Sequence, residues 1–278
     1  MRFWVNNDFD SAGVSASSEA LPVANLQDQL RTRLWRSTGT DEHVDVDFGE
    51  AVICSGLALI NHNLSPEATI TLSAGSSQGA SDLGSWSWDA WEAVFGWGEW
   101  DWGDGRTTWG GIIDEAELRT DPIRLCYFTP TAARYWRVSL SDPASTDGYI
   151  QVGRMFLCRY YEPLRGVGAP YRFRPVDPSR RSKSLGGQWW SDVRRRYYEA
   201  TFSFRFLPPE DIWWGMVEML RRVGVQRDII VDPWPEAPEA ARSRQWWSRL
   251  YCRLKSLPKV SMDALGRANV SISVTESL

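Results

Sequence analysis

Two histidines, four cysteines and 35 acidic side chains are the groups in this 278-residue chain that could do chemistry. Their spacing narrows what that chemistry can be. His43 opens an alternating stretch, and His62 sits in Asn61-His62-Asn63, which reads as a polar turn with a hydrogen-bonded imidazole. Neither stands in a nucleophile motif, and G-x-S-x-G, H-E-x-x-H and phosphate-loop patterns are absent. Gly186-Gly187 lacks the rest of a phosphate loop and reads as a turn. Cys54, Cys126, Cys158 and Cys252 are far apart, with no CxxC pair and no histidine at ligand spacing. That argues against zinc and against a dense disulfide framework. Each cysteine lies in a strand-like apolar run, the setting of a buried free thiol. A glycosidase-type carboxylate pair stays open, since so many acidic residues always offer one. Asp101 and Asp104 are read as loop-formers instead. The expectation is binding, with no catalytic residue, metal or cofactor.

Tryptophan is the residue in excess: 17 in all, seven of them Trp86, Trp88, Trp91, Trp97, Trp100, Trp102 and Trp109. A buried Trp hides roughly 150–250 Å², so seven hide on the order of 1,000–1,700 Å². A lone soluble domain seldom exposes a patch beyond a few hundred Å². These rings therefore need cover, and three kinds are open. They can pack under their own loop as a minicore. They can form a protein interface, where Trp concentrates binding energy. Or they can stack on sugar rings while Asp and Glu accept hydrogen bonds from hydroxyls. The interleaved Gly and Asp residues make the segment a compact loop or hairpin and not a helix.

Net charge is −4 overall, but residues 1–163 hold 11 basic and 23 acidic residues (−12) while residues 164–278 hold 20 and 12 (+8). Such asymmetry favours head-to-tail contacts between opposite surfaces. Nucleic acid is not expected as a partner, because the basic residues are scattered. The run Arg194-Arg195-Arg196 would alternate faces on a strand. The N-terminus lacks a signal-peptide apolar region, and no run approaches the ~18 apolar residues of a membrane span. Synthesis and folding in a reducing cytoplasm are expected.

The pattern of elements predicts a mostly β chain of two domains, residues 1–163 and 171–278, joined by the Pro/Gly-containing stretch 162–170. In the first, HVDVDFG sets Val44, Val46 and Phe48 against Asp45 and Asp47, a strand with one buried face. Further short strands follow with turn signals between them, as in a sandwich. In the second, Phe202, Phe204 and Phe206 fall on one side of a strand. Ile212, Met216, Leu220 and Val223 then recur at helical spacing, with Gly224 as the stop. Strands follow at QRDIIVDP, WWSRLYCRLK and NVSISVTES, where Val270, Ile272 and Val274 alternate. A small β-barrel, or a sheet covered by one helix, fits this order.

Residues 12–160 resemble the galactose-binding-like (discoidin) β-sandwich family. The resemblance is carried by SASSEALPVANLQDQLRTRLWRS, then HVDVDFGEAVICSGLALI and SAGSS, and finally RYWRVSLSD with IQVGRMFL. It implies a jelly-roll sandwich. Where that family often opens a calcium loop with Asp-Gly, this chain has Asp28-Gln29, so Asp28 is expected to be a loop or capping carboxylate. WRS, LINHNLSPEATI, the Trp-rich insertion and FSFRFLPPEDIWWGMVEML…IIVDPWP together resemble proteins of tailed-phage tail tips. The C-terminal part is similar to the ring-forming domain of distal tail proteins, with the usual domain order reversed. That resemblance implies a virion component: a homo-oligomeric ring, usually a hexamer, joining the tail tube to hub and fibre proteins. The sandwich would then dock neighbouring proteins or touch a host-surface glycan. The alternative, from another class, is a free carbohydrate-binding module or lectin.

Overall fold

The computed structural model describes residues 1–30, 32–92, 122–236, 248–262 and 266–277. The first unit contains β2 (Gly13–Ala16), β3 (Trp35–Arg36), β4 (Asp41–His62), β5 (Thr69–Gly75), β6 (Gly84–Asp89), β7 (Ile123–Ser141) and β8 (Gln151–Cys158). β4 and β7 are long strands that pass from one layer to the other. Gly49, at φ +77°, marks the bend in β4. There the register against β7 jumps, from Asp47 opposite Tyr135 to Val52 opposite Ala133. One layer therefore holds β2, the first part of β4, the second part of β7, β5 and β6. The other holds β3, β8, the second part of β4 and the first part of β7. Two antiparallel layers linked by bent strands make a jelly-roll β-sandwich. Val44, Val46, Ile70, Leu72, Trp136 and Val138 face Leu57, Leu59, Cys126, Val152 and Leu157 in its core.

The layer of β8, β4 and β7 is buried on its other face too. Ala58, Ile60, Leu125, Phe156 and Cys158 alternate with the residues just named and pack against Trp4, Ile230 and Tyr251. The last three come from a second sheet. It consists of β1 (Arg2–Trp4), β13 (Asp228–Asp232), β14 (Leu250–Leu254), β16 (Ala268–Glu276), β12 (Tyr197–Leu207) and β9 (Gly168–Val176), in that order, with β15 (Val260–Met262) beside β16. Its far face is covered by wide π-type turns over Asp211–Val217 that run into α1 (Glu218–Val223). Ile212, Met216, Leu220 and Val223 are all buried there, as their spacing predicts. Gly224 ends the helix at φ +57°, its N–H donating to the Leu220 carbonyl at 3.0 Å. A two-stranded hairpin, β10 (Arg180–Lys183) with β11 (Trp189–Asp192), pairs with neither sheet.

Several expectations change. Phe206 does not join Phe202 and Phe204 in the core, because the register against β16 shifts between Phe204 and Leu207. The bulge turns Phe206 outward, 48% exposed and at φ +58°, a left-handed backbone that bulky residues rarely adopt. Arg194-Arg195-Arg196 falls in the link between β11 and β12 and not on a strand. The segment 162–170, expected as a linker, is tied down at its start. Tyr161 exchanges two backbone hydrogen bonds with Phe3, its hydroxyl donates to Asp211 at 2.7 Å, and the Leu164 N–H donates to Asp211 at 3.0 Å.

β1 leads the chain yet adds an edge to the second unit's sheet, Phe3 lying opposite Val231. Its Trp4 indole presses against β4 at Gly56, where a Cβ would overlap the ring edge at Cη2. Gly56→Ala in the full chain is therefore expected to cost about 1–3 kcal/mol, the usual range for overpacking, measured by thermal or denaturant unfolding. Residues 1–163 expressed alone expose the Ala58, Ile60, Leu125 and Phe156 face. Such a fragment should bind a hydrophobic dye and aggregate at concentrations where the full chain stays dispersed.

Candidate functional site

Two clusters of charged and hydroxyl groups lie where the two units meet. Arg154, on β8, is fully buried. Its Nε donates to Asp228 at 2.8 Å, and its two terminal nitrogens donate to Asp10 at 2.6 and 2.8 Å. Tyr251 completes the cluster by donating to Asp228 at 2.8 Å and to the Gln29 carbonyl at 3.1 Å. Burial disfavours the Arg154 cation, but its hydrogen bonds and charge pairing with Asp10 and Asp228 hold it charged well above the usual range. Asp10 is raised by burial, which outweighs the pull of Arg154.

A second cluster lies at the end of the sandwich where the Trp-rich segment leaves β6 and returns to β7. Arg249 donates to Glu92 at 2.8 Å, and Arg124 pairs with the same carboxylate. Tyr127 donates to Asp232 at 2.7 Å. His62 and Trp91 meet edge to face, with ring centroids 5.3 Å apart, beside a small cleft lined also by Glu92, Arg124 and Arg249. His62 is not in a turn. It ends β4, while its neighbour Asn61 takes the left-handed backbone at φ +56°. Burial, with help from the Arg124 charge, pushes the His62 imidazole down to about 3. It is a neutral, packed ring at physiological pH and a poor proton shuttle.

All four cysteines are free and buried. Burial raises each thiol, Cys126 to about 11, which removes the thiolate a nucleophile needs. His43 faces Asp45 at 3.8 Å on the outer face, where Arg137 is the carboxylate's closer partner at 2.6 Å. Asp28 accepts from the Leu30 N–H at 2.8 Å and pairs with Arg33 at 2.9 Å, the loop-carboxylate role expected of it. Among the described residues no group of three or more His, Cys, Asp or Glu is placed to hold a metal ion.

The Trp segment is partly in view. Trp86 stacks on Trp136 at 6.2 Å and meets Phe128 at 4.7 Å, Trp88 meets Phe128 at 6.3 Å, and both Trp86 and Trp88 pack half-buried on the sandwich core. Trp91 is buried, and its indole N–H donates to the Leu64 carbonyl at 2.7 Å. Trp97, Trp100, Trp102 and Trp109 lie outside the described residues, as do Asp101 and Asp104.

The bare rings lie elsewhere. Trp189 and Trp190 on the β10–β11 hairpin are 69% and 65% exposed, and Trp213 and Trp214 on the helix are 55% and 87% exposed. The sequence reading passed over these residues, yet it contained a signal. Neighbouring residues on a strand point to opposite faces, so a Trp-Trp doublet on a half-buried strand must set one ring on the wet side. Gly186-Gly187 is the turn of this hairpin, as expected. Gly187 has φ +85°, and its N–H donates to the Ser184 carbonyl at 2.9 Å.

The strand order defines the class: a mostly β protein whose first unit is a jelly-roll sandwich and whose second is a sheet covered by a helix. No family model matches the chain, and no curated protein matches it. Solved structures similar to part of the chain include chitosan-binding module 1 of a chitosanase/glucanase from Paenibacillus sp. IK-5. That match has 14% identity and a TM-score of 0.37, over 55% of this chain and 98% of that one. The family 32 carbohydrate-binding module of C. perfringens NanJ, solved with galactose, matches at 13% identity and TM-score 0.36, over 57% and 98%. The lectin domain of Lectinolysin, solved with Lewis B antigen, matches at 14% and 0.35, over 55% and 96%. No helix among the described residues is long and apolar enough to cross a membrane.

Three variants probe these clusters by denaturant or thermal unfolding. Arg154→Leu strips the partner from Asp10 and Asp228 and should cost about 3–5 kcal/mol, the range for breaking a buried ion pair; Trp91→Ala should cost a similar 3–5 kcal/mol as a large buried ring is lost. For Glu92, burial raises the carboxyl, but the charges of Arg249 and Arg124 prevail and hold it below its ordinary value. A folded pKa below the unfolded one means its contribution is present above about pH 4.3 and lost as pH falls through the folded value. Melting temperature followed from pH 6 to pH 2.5 should therefore drop less steeply in Glu92→Gln than in the parent chain.

Proposed function

We propose that this protein works by binding and not by catalysis, as a subunit of a larger assembly. The observation that carries the reading is the β10–β11 hairpin. Its strands are exposed throughout, two indoles are bare, and among the described residues it pairs with no other strand. Rings this exposed on an isolated hairpin are a contact surface for something outside the chain. In the form that the tail-tip resemblance implies, the assembly is a homo-oligomeric ring at the tip of a phage tail, and the sandwich is the part that projects from it. The burial of His62 and of the four thiols supports a role without chemistry.

A second reading, that the sandwich binds carbohydrate, draws support from a specific feature. The segment between β6 and β7 leaves and re-enters at one end of a jelly-roll sandwich, and its sequence alternates indoles with carboxylates: Trp97, Glu99, Trp100, Asp101, Trp102, Asp104. Rings to stack on sugar faces and carboxylates to accept hydroxyl hydrogen bonds are the two parts such a site needs. The two readings are compatible, and one pair of measurements separates them. Sedimentation of the full chain reports assembly. Calorimetric titration with a chitosan oligosaccharide, galactose and the Lewis b antigen reports glycan binding. An oligomer that ignores all three sugars supports the assembly reading alone. A monomer that binds one of them, with affinity lost in Trp100→Ala and Trp102→Ala, supports a free carbohydrate-binding module. A monomer that binds none, and forms no complex with tail proteins, overturns both.

A further inference from the structure

We propose that the β10–β11 hairpin docks onto the acidic sandwich of a second copy of this chain, head to tail. The inference deepens the assembly reading above and rests on it, and it names the partner. A single two-stranded hairpin is marginally stable in water at best. Among the described residues this one pairs with neither sheet, and its strands are exposed along their length. The register sets Lys183 opposite Trp189 and Ser182 opposite Trp190. Because adjacent strand residues point to opposite faces, Trp189 shares a face with Lys183 and Arg181, whereas Trp190 shares the other with Arg180. The Lys183 ammonium lies 5.7 Å from the Trp189 ring centroid. The Trp189 face of this blade thus offers an indole flanked by positive charge, while on the Trp190 face Arg180 stands opposite Asp192.

Its chemistry selects an acidic protein surface. Residues 177–196 carry six basic side chains (Arg180, Arg181, Lys183, Arg194, Arg195, Arg196) against Asp177 and Asp192, a net of +4. The same molecule carries the opposite charge elsewhere, since residues 1–163 sum to −12. Part of that charge is concentrated at one end of the sandwich. Asp41 and Asp89 lie on a single rung that crosses β4, β7, β5 and β6 through Ser141 and Thr69, and Glu67 stands two residues before Thr69. All three carboxylates are exposed, and among the described residues none pairs with a lysine or arginine. A basic patch and an acidic patch at different places on one chain form a heterologous contact, which closes into a ring or runs on as a filament.

The full chain is tested by sedimentation and light scattering across concentration and salt. The expected parent behaviour is concentration-dependent self-association that weakens as salt rises, as screened charge contacts do. Trp189→Ser with Trp190→Ser should weaken association by at least about tenfold while leaving the melting temperature close to the parent's, because both rings are exposed. Reversing Arg180, Arg181 and Lys183 to Glu should abolish association, and so should reversing Asp41, Glu67 and Asp89 to Lys. A mixture of the two reversed proteins should associate again, a rescue that a purely structural role for either set would not give. An oligomer indifferent to all hairpin variants overturns this inference and leaves the assembly reading standing. A parent chain that stays monomeric under every condition overturns it as well. So does an unrescued mixture, or a hairpin whose variants lose binding to a labelled single-stranded oligonucleotide while self-association is unchanged.

Discussion

The layer formed by β8, β4 and β7 is buried on both faces, and the rest of the molecule is arranged to satisfy it. A strand in that position needs apolar residues at odd and even positions alike. β4 supplies them as Leu57, Ala58, Leu59 and Ile60. One set faces the sandwich core and the other faces Trp4, Ile230 and Tyr251. A charge in such a layer has few places to find a partner. Arg154 stands on the face that meets the second unit, and it draws one carboxylate from each side, Asp10 from the first unit and Asp228 from the second. Any slide of one unit on the other would strand a buried guanidinium. The gain is in geometry more than in stability, since a buried ion pair seldom outweighs the desolvation it requires.

The course of the chain serves the same contact. Its first strand belongs to the second unit's sheet, so the polypeptide enters through the interface, builds the sandwich, and returns at Tyr161 beside Phe3. The two backbone hydrogen bonds between Phe3 and Tyr161 close this loop of more than 150 residues at its neck. Arg2 reinforces it, with its guanidinium 4.7 Å from the ring centroids of both Tyr127 and Tyr160 and its Nε donating to Glu162 at 2.9 Å. The units are distinct in their cores and joined in their backbone.

Tryptophan shows how little composition says about role. Trp4, Trp35 and Trp136 are core residues, and Trp86 and Trp88 roof that core half-buried beside the buried Trp91. Trp189, Trp190, Trp213 and Trp214 are bare. For the rings on β6 and β11, what separates them is the sheet each strand belongs to. A ring on β6 finds Phe128 and Trp136 across a layered sandwich, whereas a ring on β11 finds only one neighbouring strand and then water. The same apolar area that stabilises the fold in the first setting is left to solvent in the second.

Much of this was legible in the sequence, because much of it is local. Alternation at Val44, Val46 and Phe48, and at Val270, Ile272 and Val274, determined strands with one buried face. The spacing of Ile212, Met216, Leu220 and Val223, with Gly224 after them, determined the helix. The apolar runs around the four cysteines determined that the thiols are buried. Other features depend on which distant segments meet, and no local period encodes that. Phe206 kept the alternation of its strand and was turned out by a bulge against β16, a partner more than 60 residues away. Arg154 reads as a surface residue until Asp10 and Asp228 converge on it from opposite units. The hairpin's indoles became a surface only because neither sheet reaches them. Burial is a property of the assembled layers, so the sequence determined which residues seek cover, and the tertiary structure decided which of them receive it.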